Sequence, residues 1–153
     1  MLKVTILEFF IRFVPESFLV IIAGNIFANK RIERTPLIIS GVILSISIYL
    51  IRMLPILFGV HTVLGAAVAA ILFIVVNKIP VTRAISSTFV IIIILGISET
   101  LNLIFIQEVL KVDIQKILAN PVEKVLYFIP SMLIVVCNII LFYIVLKKIK
   151  NRK

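Results

Sequence analysis

Apolar residues fill most positions of this chain in long runs, broken only by short clusters of charge, proline and glycine. The first run extends from about Val4 to Ala28 and contains Pro15, Glu16 and Ser17. Proline in a first helical turn followed by an acidic residue marks a helix start. The pattern therefore predicts an interfacial or entering helix over residues 2–13 and a span over about 14–29, with a single kinked helix as the alternative. The run Asn29-Lys30-Arg31-Ile32-Glu33-Arg34-Thr35 closes it, and Pro36 opens a second span over about 36–54. Pro55 and Gly59 mark a turn before a third span over about 60–76. Asn77, Lys78, Pro80 and Arg83 form the next break, and the fourth span, about 81–105, carries the isoleucine run Ile91 to Ile94. A helix needs roughly 20 apolar residues to cross ~30 Å of hydrocarbon, and these runs are of that order.

Residues 107–119 have a different texture. Glu108, Lys111, Asp113 and Lys116 alternate at near-helical spacing with Val109, Leu110, Val112, Ile114, Ile117 and Leu118. That is the signature of a short amphipathic helix lying at an interface. Asn120-Pro121 stops it, a fifth span follows over about 122–146, kinked or wedged at Pro130, and a basic tail begins at Lys147. The fold class expected is all-α, a polytopic integral membrane bundle of about five transmembrane helices with short interfacial helices. Residues 1–153 form a single transmembrane domain in this reading, since no loop is long enough to act as a linker.

Composition strengthens the membrane reading. Of the 153 residues 62% are hydrophobic and the mean hydropathy is +1.27, whereas a soluble domain runs near ~45–50% apolar. A small domain cannot hide such an excess from water. Glu8 and Arg12 interrupt what would be the apolar core of a signal peptide, and no clear cleavage site follows, so the first segment is expected to stay in the mature protein.

Charge then orients the spans. The net charge is +9, from 16 Lys and Arg against 7 Asp and Glu. Ten of those 16 basic residues lie in the 29–35 loop, the 77–83 loop and the tail: Lys30, Arg31, Arg34, Lys78, Arg83, Lys147, Lys148, Lys150, Arg152 and Lys153. The positive-inside bias places these three segments in the cytoplasm. The N-terminus is then outside and the C-terminus inside a multi-pass protein of the cell membrane. Basic clusters between apolar runs are explained by topology and anionic headgroups, so no nucleic-acid partner is expected.

Ionisable groups at membrane depth usually pair or line a cavity. The candidates for a binding or ion-pair site are Arg12, Glu16, Arg52, His61 and Glu99, with Asn102 beside them. Arg52 lies 16 residues beyond Pro36, and Glu99 lies 16 beyond Arg83. Each is thus about 24 Å from the cytoplasmic end of its span. His61 opens the third span, and Arg12 and Glu16 flank the start of the first, so all five gather toward the outer face. One account is bland: Arg52 snorkels to the headgroups, and Arg12 and Glu16 form an i,i+4 surface pair. The sharper one is an ion pair between Arg52 and Glu99 in the floor of an outward-opening pocket. Asn25, Asn138, Ser98 and Thr100 are read as interhelical hydrogen-bond glue.

The Gly65-Ala66-Ala67-Val68-Ala69-Ala70 run gives the third span a small-residue face, read as internal packing. The single cysteine, Cys137, has no partner for an intrachain disulfide and is read as a packed apolar group. Neither a metal-ligand cluster nor a phosphate-binding glycine loop nor an H-E-x-x-H motif occurs, so no catalytic residue, metal or cofactor is expected.

Abundant isoleucine and an excess of lysine over arginine point to a low-GC bacterium. Ile51-Arg52-Met53-Leu54-Pro55-Ile56 with Phe58-Gly59-Val60-His61-Thr62, Arg12-x-x-Pro15-Glu16, Glu99-x-x-Asn102 and Ile129-Pro130-Ser131 resemble the multi-span N-terminal membrane region of GHKL-type sensor histidine kinases of low-GC Gram-positive bacteria. The resemblance covers most of the chain and implies a signal-input module with no chemistry of its own. The chain stops seven residues after the fifth expected span, without the phospho-accepting or ATP-binding region of such kinases. Output would therefore pass through a partner, such as a separate histidine kinase. The alternatives are a membrane subunit of a small-molecule, vitamin-type transporter, although those usually have six spans, and a structural subunit of a membrane complex.

Overall fold

The computed structural model describes residues 6–54, 59–109, 111 and 121–150, apart from the side chains of residues 121, 124, 128, 146, 149 and 150. All regular structure among these residues is helical. Helix α1 (Ile6–Glu8) passes through a π-helical turn (Phe9–Phe13) into α2 (Val14–Phe27) with helical backbone angles at both junctions. Then follow α3 (Arg34–Met53), α4 (Val60–Val75) and α5 (Val81–Ile104), which a second π turn extends through Phe105–Val109. The last helix is α6 (Pro121–Lys150).

The first segment is thus one continuous helix from Ile6, the second of the two sequence readings. Pro15 explains why it need not break. Its ring crowds the carbonyl of Ile11 and supplies no N–H to it. The π turn that ends at Phe13 widens the helix just ahead of the proline, which is where an extra backbone residue can be absorbed. Of the expected interfacial segment 107–119, the part through Val109 continues α5. Residue 110 and residues 112–120 lie outside the described residues.

Among the described residues three helices are long and apolar enough to cross a membrane: Arg34–Met53, Val81–Val109 and Val125–Val145, while Val60–Val75 is apolar but shorter. Their surfaces are inverted relative to a soluble protein. On α5 the exposed stripe is Val81, Ile85, Phe89, Ile93, Ile97, Leu101 and Ile104, whereas the buried face holds Ser87, Thr88, Ser98 and Asn102. On α3 the buried residues are Ser40, Gly41, Leu44 and Ser45, with Ile39, Val42, Ile43 and Ile46 outside. Large apolar side chains outside and hydroxyls and amides inside suit hydrocarbon as solvent. Cys137 belongs to the exposed surface, not to the packed interior.

The helices alternate in direction, and α2 packs against α3, α4, α5 and α6. That central position explains its own composition. Ser17, Val20, Ile21, Ala23, Gly24 and Asn25 are buried, and the small ones among them, Ser17, Ala23 and Gly24, let neighbours come close. The closest approach is at Gly24, where a Cβ would lie 2.1 Å from Cζ of Phe73, itself fully buried.

One end of the bundle is tied by amides. Asn77 donates from Nδ2 to Ser40 Oγ at 2.7 Å and to Leu72 O at 3.2 Å, and its Oδ1 accepts from Asn25 Nδ2 at 3.3 Å. Lys30 Nζ donates to Asn77 O, and Arg83 Nη1 reaches Ala28 O at 3.5 Å. The rings of Phe27 and Phe142 meet edge to face at 4.8 Å, which brings the C-terminal part of α6 to the same end. We call this the asparagine end. An interhelical hydrogen bond inside a membrane averages ~0.6 kcal/mol and reaches ~1.7 kcal/mol. Asn77→Ala, which removes two of them, is expected to cost about 1–3 kcal/mol, measurable as a lowered unfolding midpoint in mixed micelles.

Candidate functional site

The opposite, charged end holds the ionisable residues singled out in the sequence. Two causes bring them there: the alternating helix directions, and the positions of Arg12 and Glu16 early in the α1–α2 segment, Arg52 and Glu99 late in α3 and α5, and His61 at the start of α4. Gly59, with φ of +100°, makes the turn that leads into α4. Such a conformation is costly for a residue with a Cβ.

Arg12 is the hub. Its side chain is buried, and its Nη2 donates to Glu99 Oε1 at 2.8 Å, while Nε lies 3.7 Å from Glu16 Oε2. The first distance is that of a charge-assisted hydrogen bond. The pair with Glu16 is i,i+4 as the spacing suggests, but it is interior, not a surface pair. The carboxylate of Glu99 thus goes to Arg12 and not to Arg52. Arg52 instead places its guanidinium over the ring of Phe13 in a cation–π contact, with Cζ 4.7 Å from the centroid. Phe13 ends the π turn that also carries Arg12, so one local backbone feature presents both the ion-pair hub and the aromatic platform. Arg52 makes no hydrogen bond and no ion pair among the described residues.

His61 is oriented by its Nδ1, which lies 2.9 Å from Ile51 O. A carbonyl only accepts, so Nδ1 carries the proton in this contact. Asn102 departs from the cluster. It is buried between α5 and α6, donating Nδ2 to Tyr127 O at 2.9 Å, and its Oδ1 has no partner among the described residues. The hydroxyls of Ser17 and Ser98 are buried and unpartnered in the same sense. Of the expected interhelical glue only Asn25 reaches another element. Asn138 and Thr100 donate to Ile134 O and Gly96 O within their own helices.

Between α2, α3, α4 and α5 lies a cavity of about 190 Å³. Glu16, Arg52, His61 and Glu99 line it together with Thr62 and Thr88, and its walls include Leu44, Ile48, Ile92 and Leu95. Gly65, Ala66, Ala69 and Gly96 also line it. The small-residue face of α4 therefore makes room for a cavity as well as for packing. Phe73, wedged against Gly24, forms part of its lining toward the asparagine end. The Thr88 hydroxyl donates to Ala84 O in its own helix, leaving the charged groups as the main polar features.

Comparison with known proteins gives no match: no family model, curated relative or solved structure is significantly similar to this chain. The site is therefore read from its own chemistry. It combines an apolar chamber, a salt-bridged wall and a guanidinium, that of Arg52, which makes no ion pair among the described residues. Such a concave, mostly apolar space with a few convergent polar groups is the usual form of a small-molecule site. Thr62, Thr88 and Phe13 were not singled out in the sequence, because single hydroxyls and aromatics in apolar runs carry no signal until helices are packed.

Proposed function

We propose that the chain is a five-span membrane protein that binds a small molecule in the charged cavity and passes its occupancy to a partner chain, with no chemistry of its own. The cavity carries this reading. A purely structural subunit has no need of an arginine that makes no ion pair among the described residues beside an open chamber, because ionisable groups are costly at membrane depth.

Shared packing supports the reading of five spans. Helix α2 contacts each of α3, α4, α5 and α6, so it lies at the depth of the three long apolar helices. With α1 and the π turn, the helix from Ile6 to Phe27 extends about 33 Å, while α4 covers about 24 Å before the turn at Asn77. Lys30, Lys78 and Arg83 gather at the asparagine end, which supports a cytoplasmic assignment of that end under the positive-inside bias. The charged end and the mouth of the cavity then face outward, the arrangement a receptor for an external signal requires. The resemblance to sensor-kinase membrane regions points the same way.

A transporter subunit is the second reading, favoured by the cavity itself. Against it stands the seal below: Phe73 lies on Gly24, and the Asn25–Asn77–Ser40 ties close the cytoplasmic end. Crosslinking in native membranes distinguishes the two. The expected partner is a histidine kinase whose phosphorylation changes when Ala66→Phe fills the cavity. Recovery of an ATPase subunit would support transport instead. A kinase output unmoved by both Ala66→Phe and deletion of the chain would contradict the sensor reading.

A further inference from the structure

The residues around the cavity also specify the charge of what it holds. Arg12 engages both Glu16 and Glu99, so the two carboxylates on the wall already share a cation. Arg52 lines the same cavity with its guanidinium over the ring of Phe13 and with no hydrogen bond or ion pair among the described residues. The contact with the Phe13 ring engages no guanidinium N–H in a hydrogen bond, which leaves the N–H edge available among the described residues. That edge is a planar fork of donors matched to a carboxylate.

We infer that the cavity binds a small monocarboxylate with a compact apolar body, its carboxylate on the edge of Arg52 and its body among Leu44, Ile48, Ala66, Ile92 and Leu95. This rests on the reading of the cavity as a ligand site. The size follows from the volume. A cavity of ~150 Å³ accepts benzene, so about 190 Å³ takes a ring with a short acid group. A cation is disfavoured because it would sit beside Arg52 while the carboxylates remain held by Arg12. A phosphate dianion is disfavoured as well, since two negative charges would face Glu16 and Glu99 with one guanidinium to answer them. The Thr62 hydroxyl, in the lining from α4, offers a second donor to the acid.

Three probes of one shape test the inference on the full chain in a non-ionic detergent: benzoate, benzamide and benzylamine, titrated calorimetrically. A ligand of this size in a good pocket binds with Kd on the order of 0.1 mM. Benzoate is expected to bind at least tenfold tighter than benzamide, and benzylamine not at all. Arg52→Gln is expected to abolish the preference for benzoate while leaving benzamide within about twofold. Arg52→Lys, which keeps the charge and loses the fork, should fall between, and it serves if the glutamine variant does not fold. Ala66→Leu should remove binding of both probes. Equal binding of benzoate and benzamide, or tighter binding of benzylamine, with Ala66→Leu still blocking it, would overturn the carboxylate and leave the cavity a ligand site. No binding of any probe at 10 mM would overturn both.

Discussion

Arg12→Gln is expected to cost about 3 kcal/mol of bundle stability and to lower the folded yield from membranes. Removing one partner of a buried ion pair costs roughly 3–5 kcal/mol, because the other charge is left without compensation. The lower end applies here, since the Glu99 side chain is 42% exposed, while that of Glu16 is 15% exposed. The double variant Arg12→Gln/Glu99→Gln should recover part of the loss. A coupling of about 1–3 kcal/mol between the two positions is the expected reading of the cycle. The same cycle on Arg52 and Glu99 should show weaker coupling, because no ion pair joins them. Unfolding in mixed micelles at fixed lipid composition measures both. Additivity at Arg12 and Glu99 would refute the hub.

Gly24→Val is expected to be at least as damaging, at about 3 kcal/mol or more. A Cβ at this position would lie 2.1–2.7 Å from three atoms of the Phe73 ring, so the buried ring must shift toward the cavity it lines and give up its packing on α2. Overpacking a well-filled interior costs typically ~1–3 kcal/mol, and a branched side chain on a central helix lies at the top of that range. Gly24→Ala should be milder, because the overlap is offset by up to ~1 kcal/mol of better helix propensity. Combining Gly24→Ala with Phe73→Leu removes the ring and should restore part of the stability. If Phe73→Leu adds its own cost without relieving the alanine, the two residues do not touch as described.

The helical fold and the gathering of charge at one end were legible in the chain for simple physical reasons. Pro36, Gly59, Pro80 and Pro121 stand at or beside helix starts, where proline and glycine have backbone reasons to occur. Arg52 and Glu99 could be placed near one height because rise per residue is constant along a helix. Their partners could not be read this way, because pairing depends on which faces meet. Glu99 has Arg12 and Arg52 at similar depth, and the π turn that carries Arg12 presents it to Glu99 at 2.8 Å. The π turn itself has no sequence signature other than Pro15 downstream. The role of Asn77 was hidden for a different reason. It sits in a charged break that reads as a loop, yet its side chain is buried and joins three elements.

Cysteine accessibility in intact cells tests the central claim, that this is a membrane bundle whose charged cavity opens outward. On a Cys137→Ser background, single cysteines are placed at Thr62 beside the cavity, at Ile93 on the exposed stripe of α5 and at Lys147 beyond the apolar part of α6. A membrane-impermeant maleimide is expected to label Thr62→Cys in intact cells and Lys147→Cys only after permeabilisation. Ile93→Cys should stay unlabelled in both. Labelling of Lys147→Cys from outside, or rapid labelling of Ile93→Cys in intact membranes, would contradict the account.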